Sequence, residues 1–113
     1  MRAGEALYID NCAACHISTG NGISQLFPAL KNSPSVQSAD PASLIRVVLR
    51  GARSVATDHA TTGPAMPAFG WKLLDTDVAA VITYIRNSWG NAASPISADD
   101  VASARRQLSR RTD

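Results

Sequence analysis

Both cysteines of this 113-residue chain lie in one pentapeptide, Cys12-Ala13-Ala14-Cys15-His16, together with one of its two histidines. Two thiols and an imidazole at this spacing could carry out thiol–disulfide exchange, bind a metal ion such as zinc, or anchor a cofactor covalently. The rest of the sequence has to distinguish these three kinds of chemistry.

The first two chemistries fit the surrounding sequence poorly. A thioredoxin-like pair starts a helix that follows a strand, whereas Cys12 and Cys15 end a helical segment with no strand pattern around it. A structural zinc site needs four ligands, and the fourth would be His59, far along the chain in a Thr- and Gly-rich loop. C-x-x-C-H is instead the attachment signature of c-type haem. We therefore expect Cys12 and Cys15 to form thioethers and His16 to be the proximal ligand of the iron.

A second ligand would complete such an iron site. Haem iron in electron-transfer proteins takes Met or His as its other axial ligand. Apart from Met1, the chain has one methionine, Met66, in Gly63-Pro64-Ala65-Met66-Pro67. Prolines on both sides restrict the backbone of this loop and could hold the thioether in place. We predict that Met66 is the sixth ligand; His59 is the competing candidate, and core packing is the ordinary role of a methionine.

Four helical segments are predicted to position these residues, and no paired strands are expected. They cover about residues 3–14, 41–50 (between an Asp40 N-cap and a Gly51 C-cap), 75–89 and 97 onward. The long irregular loops 17–37 and 52–69 are unusual in a small domain unless they pack on something, and a haem would supply that surface. The expected fold is all-α, with about four helices around one covalent haem. One domain is expected over 1–113, with a core at 3–91 and a helical extension at 92–113.

Composition excludes some partners. The net charge is +2, and basic residues are not interleaved with aromatic ones as a nucleic-acid surface requires, so nucleic acid is not an expected partner. The arginines at 105–111 are expected to form a solvated helix end, with protein docking or lipid-headgroup contact as alternatives. No apolar run is long enough to span a membrane, and no signal peptide is visible. Since c-type haem is attached after export, we expect a cleaved or trimmed sequence rather than a cytoplasmic protein.

With these motifs in place, the chain resembles class I cytochrome c from Gly4 to about Trp89. In that family a glycine and an aromatic residue stand eight and four positions before the first cysteine, as Gly4 and Tyr8 do here. The resemblance also implies that Tyr84 lies where the C-terminal helix crosses the first helix. It further implies that the carbonyl of Pro28 accepts a hydrogen bond from the proximal imidazole, which would fix the ring orientation of His16.

A closer resemblance is to the haem domains of cytochrome subunits of bacterial membrane-associated dehydrogenases. It rests on the motifs L-I-R-V-V-L-R-G-A-R, A-M-P-A-F and Y-I-R-N-S-W-G-N, at residues 44–53, 65–69 and 84–91. The resemblance implies one haem c per chain and an electron carrier rather than an enzyme. The electrons would come from an alcohol, aldehyde or gluconate-type dehydrogenase and pass to quinone or an oxidase. The expected location is the periplasm or the outer face of the cytoplasmic membrane, with peripheral membrane association. The chain could be a stand-alone cytochrome or one domain of a multihaem protein.

Further residues are expected to line the haem pocket: Tyr8, Pro28, Leu30, Arg50, Arg53 and Trp71. Arg50 and Arg53 could pair with haem propionates, because guanidinium matches a carboxylate bidentately, or could simply form a solvated helix end. Trp71 could flank the haem edge or cover the core. Two other functions stay open at this point. A haem sensor would need Met66 to be displaced, and a peroxidase-like enzyme would need a vacant iron site and a distal acid–base residue.

Overall fold

The computed structural model describes residues 2–23, 29–53 and 65–109. Five helices lie in this part of the chain: α1 (Arg2–Asn11), α2 (Ala13–His16), α3 (Ala42–Arg50), α4 (Asp75–Arg86) and α5 (Ala98–Ser109). Two strands of two residues each, β1 (Ala52–Arg53) and β2 (Ala65–Met66), pair antiparallel with Ala52 opposite Met66. The expected all-α class is confirmed. The short ladder is an addition to it that the sequence pattern did not indicate.

The predicted first helix over 3–14 is two helices. At Cys12 the backbone adopts φ −121° and ψ −32°, outside regular helical values, and α2 begins at the next residue. Hydrogen bonds nevertheless continue through the break: the Cys12 amide donates to the Tyr8 carbonyl (2.8 Å), and the His16 amide donates to the Cys12 carbonyl (3.0 Å). The amide and the carbonyl of Cys12 are therefore both paired despite the break.

Helix α1 crosses α4 at close range. A Cβ built on Gly4 would lie 2.4 Å from the Ala80 carbonyl oxygen and 2.8 Å from the Tyr84 Cβ, so only glycine permits this approach. Tyr8, one turn further along α1, is fully buried. The core that this crossing nucleates comprises Tyr8, Val36, Ile45, Val48, Leu49, Phe69, Leu73, Val78, Ala79, Val81, Ile82, Ile85, Ile96, Val101 and Leu108.

The helix boundaries follow local chemistry. The Asp40 Oδ1 accepts a hydrogen bond from the Ala42 amide (3.0 Å), but α3 begins at Ala42 and its N-cap is Pro41, so the predicted N-cap at Asp40 is one residue too early. Ser97 and Asp100 form a reciprocal capping box at the start of α5, at 3.0 and 3.1 Å. Helix α4 ends at Arg86 and not just before Gly90, because the chain turns over 87–90. Within the described residues, no helix is long and apolar enough to cross a bilayer.

A buried arginine fixes the C-terminal end of α4. Arg86 is only 1% exposed, and its guanidinium donates hydrogen bonds to the carbonyls of Val36 (3.1 Å), Ser38 (2.8 Å) and Ser94 (2.9 Å). These bonds satisfy a cation that burial would otherwise penalise. Arg86 therefore links α4 to the segment before α3 and to the one before α5.

Candidate functional site

The helical turn α2 carries the two thiols and the imidazole. The Cys15 amide donates to the Cys12 carbonyl (3.2 Å), so the two cysteines stand one turn apart, and both are half-buried. His16 follows at once and is 9% exposed. Burial, with a smaller contribution from Cys15, raises the pKa of the Cys12 thiol to about 11. A raised pKa is the opposite of what an activated thiolate nucleophile needs, so this site does not favour thiol–disulfide exchange at Cys12.

These residues fit covalent attachment of a cofactor better than chelation of a single ion. Cys12, Cys15 and His16 all lie in the part of the chain that the structure describes. Within that part, no three His, Cys, Asp or Glu side chains converge on a common point that could hold a metal ion. Two free thiols one turn apart can instead react with two separate positions on one planar group. An imidazole just beyond them can then approach the centre of that group. The donor set therefore fits haem c.

The residue after His16 has an unusual backbone. Ile17 adopts φ 68° and ψ 152°, a region that β-branched residues almost never occupy and that typically costs about 1–3 kcal/mol. The Tyr8 hydroxyl donates a 2.6 Å hydrogen bond to the Ile17 carbonyl. Burial raises the pKa of Tyr8 well above its usual value, with smaller contributions from Cys12 and Tyr84, so the phenol keeps the proton that it donates. The Gly22 amide also donates to the His16 carbonyl (3.0 Å).

Met66 lies on a different element from the C-x-x-C-H turn. It is half-buried, packs against the core and sits in β2 opposite Ala52. A Cβ on Gly51, whose φ is +80°, would lie 2.4 Å from the Met66 carbonyl oxygen, so the end of α3 approaches the Met66 backbone closely. The ladder and this close approach fix the backbone that carries the thioether.

The other residues predicted to line the pocket have different environments. Leu30 is half-buried against the core, and the Arg50 guanidinium donates to the Leu108 carbonyl in α5 (2.8 Å), a contact that neither sequence interpretation included. Trp71 is 83% exposed and does not cover the core, so that alternative is wrong; a position at the haem edge stays a prediction. Pro28, His59 and the side chain of Arg53 lie outside the described residues.

Sequence reasoning missed one component of this site. The predicted helix over 75–89 included Trp89, but Trp89 lies in the turn after α4 with φ +54°. Its indole Nε1 donates to the Ser18 carbonyl, two residues beyond His16 (3.0 Å). The adjacent Asn87-Ser88 pair, two residues that favour turns, is the signal that could have ended the predicted helix earlier.

Comparison with known proteins decides the family. The family model for cytochrome c matches residues 1–89. This chain belongs to the cytochrome c family. The cofactor of a cytochrome c is covalently bound haem c, and Cys12 and Cys15 have the matching spacing. Cytochromes c are electron-transfer proteins and not catalytic enzymes, as expected from the resemblance.

Similar proteins include subunits of dehydrogenases. The gluconate 2-dehydrogenase cytochrome c subunit of Pantoea cypripedii is 44% identical over 93% of this chain and 24% of its own length. The cytochrome c subunit of alcohol dehydrogenase (quinone) from Gluconobacter oxydans (strain 621H) is 39% identical over 91% of this chain and 22% of its own length. Cytochrome c6 of Gracilaria tenuistipitata var. liui is 31% identical over 80% of the chain and 75% of its own length. The chain thus spans about a quarter of the dehydrogenase subunits and most of the small cytochrome.

Proposed function

We propose that this cytochrome c domain is a one-electron carrier in which Cys12 and Cys15 hold haem c through thioethers while His16 and Met66 are the axial ligands. The observation that carries the proposal is the α2 turn, which places two half-buried cysteine side chains one turn apart and a buried imidazole directly after them. Bound haem c supplies a one-electron iron couple, and Met ligation raises its potential.

The chain's own residues have separate roles in this proposal. The two thiols fix the position of the cofactor, and the strained end of α2 sets where the His16 ring can lie. The β1–β2 ladder and the close approach of Gly51 hold the backbone of Met66, so its thioether needs little reorganisation when the charge of the site changes. With both axial positions filled from the protein, no position remains for oxygen or peroxide.

Covalent attachment can be tested on the denatured protein. The wild type, produced with a haem-maturation system, should give the pyridine haemochrome band of a haem with two thioethers. Cys12→Ala and Cys15→Ala should each move the band toward that of a single thioether. Ala14→Ser is the matched control, because Ala14 is exposed and lies between the cysteines without altering their spacing. A band in either cysteine variant identical to that of the wild type would contradict the assignment.

Carbon monoxide distinguishes the carrier from a haem sensor. The reduced protein at neutral pH should not bind carbon monoxide, because Met66 occupies the sixth position. Binding at neutral pH would favour a sensor or ligand-binding module in which Met66 is displaced. Peroxide turnover by the folded protein would overturn the carrier assignment.

We further propose that residues 1–113 form a single monohaem domain and that it receives electrons from a dehydrogenase in the periplasm or at the outer face of the cytoplasmic membrane. Electrons would pass on to quinone or an oxidase of the respiratory chain. The support is the 44% and 39% identity to cytochrome subunits of gluconate and alcohol dehydrogenases. The test is the reduction of the oxidised domain by the catalytic subunit of such a dehydrogenase when its substrate is added. Reduction of a control cytochrome but not of this domain would refute the dehydrogenase link.

A further inference from the structure

Three aromatic rings lie together beside the end of α2. Tyr8 from α1, Tyr84 from α4 and Trp89 from the following turn have ring centroids 5.6, 5.1 and 5.8 Å apart in the three pairings. These distances and the tilted orientations are those of favourable aromatic pairs. We refer to Tyr8, Tyr84 and Trp89 as the aromatic cluster.

Two members of the aromatic cluster bind consecutive carbonyls just beyond His16. The Tyr8 hydroxyl donates to the Ile17 carbonyl at 2.6 Å, and the Trp89 indole donates to the Ser18 carbonyl at 3.0 Å. The two donors, Tyr8 in α1 and Trp89 in the turn after α4, are 81 residues apart in the chain. Within the described residues, Tyr84 contributes a ring but no hydrogen bond to this segment.

The segment that is bound in this way is strained. Ile17 occupies a backbone region that is essentially restricted to glycine, and it is held there directly after His16. Such a conformation persists only when the surroundings impose it, and Tyr8 binds the carbonyl of that same residue.

The indole also fits closely against the backbone of this segment. Gly20, with φ +73°, has no side chain, and a Cβ there would lie 2.5 Å from the Trp89 ring. The Gly20 carbonyl in turn accepts hydrogen bonds from the amides of Leu30 (2.8 Å) and Lys31 (3.0 Å). The aromatic cluster therefore holds residues 17–20, and these residues hold the next described segment.

We infer that the aromatic cluster is a positioning device for His16: through Ile17 and Ser18 it holds the backbone on the C-terminal side of the ligand and so sets the orientation of the imidazole against the haem. This inference rests on the proposed ligation by His16. It assigns to Tyr8 and Trp89 a role carried by their polar atoms, in addition to the packing of their rings. A core that needed only packing at position 8 would be served equally well by phenylalanine.

The test compares variants of the holoprotein that lack one hydrogen-bond donor and keep an aromatic ring. Tyr8→Phe and Trp89→Phe remove the two donors and keep an aromatic ring, and Tyr84→Phe is the matched control in the same cluster. The orientation of the His16 ring is read from the g-values of the ferric protein in electron paramagnetic resonance and from the shifted ring-proton signals of His16 in NMR. Amide hydrogen exchange at Gly20 and Gly22 measures how firmly the segment is held.

We expect Tyr8→Phe and Trp89→Phe to shift the g-values and the His16 ring signals. The exchange of the Gly20 and Gly22 amides should accelerate about fivefold to tenfold, the factor that loss of one neutral hydrogen bond brings. Tyr84→Phe should leave all of these readouts at wild-type values. Adding Ile17→Gly to Tyr8→Phe should restore most of the wild-type signal, because glycine adopts this backbone conformation without strain.

Each failure has a distinct signature. If the wild type shows no haem-shifted signals from His16, the proposed ligation is wrong and the inference falls with it. If those signals are present but Tyr8→Phe moves them no more than Tyr84→Phe does, ligation stands and the positioning role is refuted. Tyr8→Phe removes a single oxygen and decides the question by itself if Trp89→Phe yields no holoprotein.

Discussion

Gly4→Ala tests the helix crossing that supports the site, and its effect should run against helix propensity. Alanine is about 1 kcal/mol better than glycine inside a helix, so propensity alone predicts a more stable protein. The new Cβ would lie 2.4 Å from the Ala80 carbonyl oxygen, however, and normal carbon–oxygen contacts are about 3.3–3.6 Å. The neighbouring atom belongs to a helix backbone and cannot rotate away. Helices α1 and α4 would therefore have to separate by about 1 Å.

The magnitude follows from that separation. A gap of about 0.5–1 Å forfeits a quarter to a half of each dispersion contact that it opens, and the contacts around the buried Tyr8 lie at this crossing. Inserting a methyl group into a well-packed core costs about 1–3 kcal/mol, and rigid backbone on both sides favours the upper end. After the gain in propensity, we expect the free energy of unfolding to fall by about 2 kcal/mol.

The assay is urea unfolding of the ferric holoprotein followed by far-ultraviolet circular dichroism. Ala6→Gly is the matched control, because Ala6 is exposed on the same helix and should lose about 1 kcal/mol from propensity alone. A Gly4→Ala protein as stable as the wild type, or more stable, would show that the two helices do not approach as closely as described.

Three other substitutions test separate parts of the fold, each by the urea midpoint. Leu74 occupies the N-cap of α4, is 71% exposed, and has a side chain that cannot accept a hydrogen bond from the helix amides. Leu74→Ser should therefore stabilise the protein by about 1 kcal/mol, and an unchanged midpoint would contradict this. Arg86→Met should cost about 3 kcal/mol or more, because three backbone carbonyls lose their donor, and a loss below 1 kcal/mol would refute the linking role. Arg105 pairs with Asp75 and donates to two carbonyls of the turn before α4, each at 2.6 Å. Arg105→Met should therefore lower the free energy of unfolding by about 2 kcal/mol. A variant as stable as the wild type at both high and low salt would show that these contacts are dispensable.

Local chemistry explains why much of the fold could be predicted from the sequence. The hydrogen bonds of Asp40 and Ser97 at the starts of α3 and α5 join residues two or three positions apart, and the apolar period that predicts α4 needs only neighbouring residues. The pentapeptide at Cys12 is similarly local, because its spacing by itself limits the chemistry that it can support. Haem c and the all-α class could therefore be predicted from short-range patterns alone.

Long-range contacts could not be predicted in the same way. The three carbonyls that bind Arg86 lie up to 50 residues away, and no periodicity indicates a buried cation on the core face of a helix. Trp89 falls inside the predicted helix over 75–89, yet α4 ends before it. Its indole instead donates a hydrogen bond to the Ser18 carbonyl, 71 residues earlier in the chain. The strain at Ile17 is likewise imposed by Tyr8 from another element, because isoleucine has no intrinsic tendency to adopt that conformation.

The exposure of Trp71 shows a different limit. Its aromatic character suggested either a haem edge or a core cover; because Trp71 is 83% exposed it does not cover the core, whereas a position at the haem edge stays a prediction. Composition indicates what a side chain can bind and does not indicate which side of a turn it occupies.

The central claim is that His16 and Met66 form the axial pair of a six-coordinate, low-spin haem. The most direct measurement is the far-red absorption of the ferric protein, where ligation of the iron by a methionine sulfur gives a weak band. The wild type should show this band, and Met66→Ala should lose it while retaining the covalently attached haem. Survival of the band in Met66→Ala, or its absence from the folded wild type, would contradict the account.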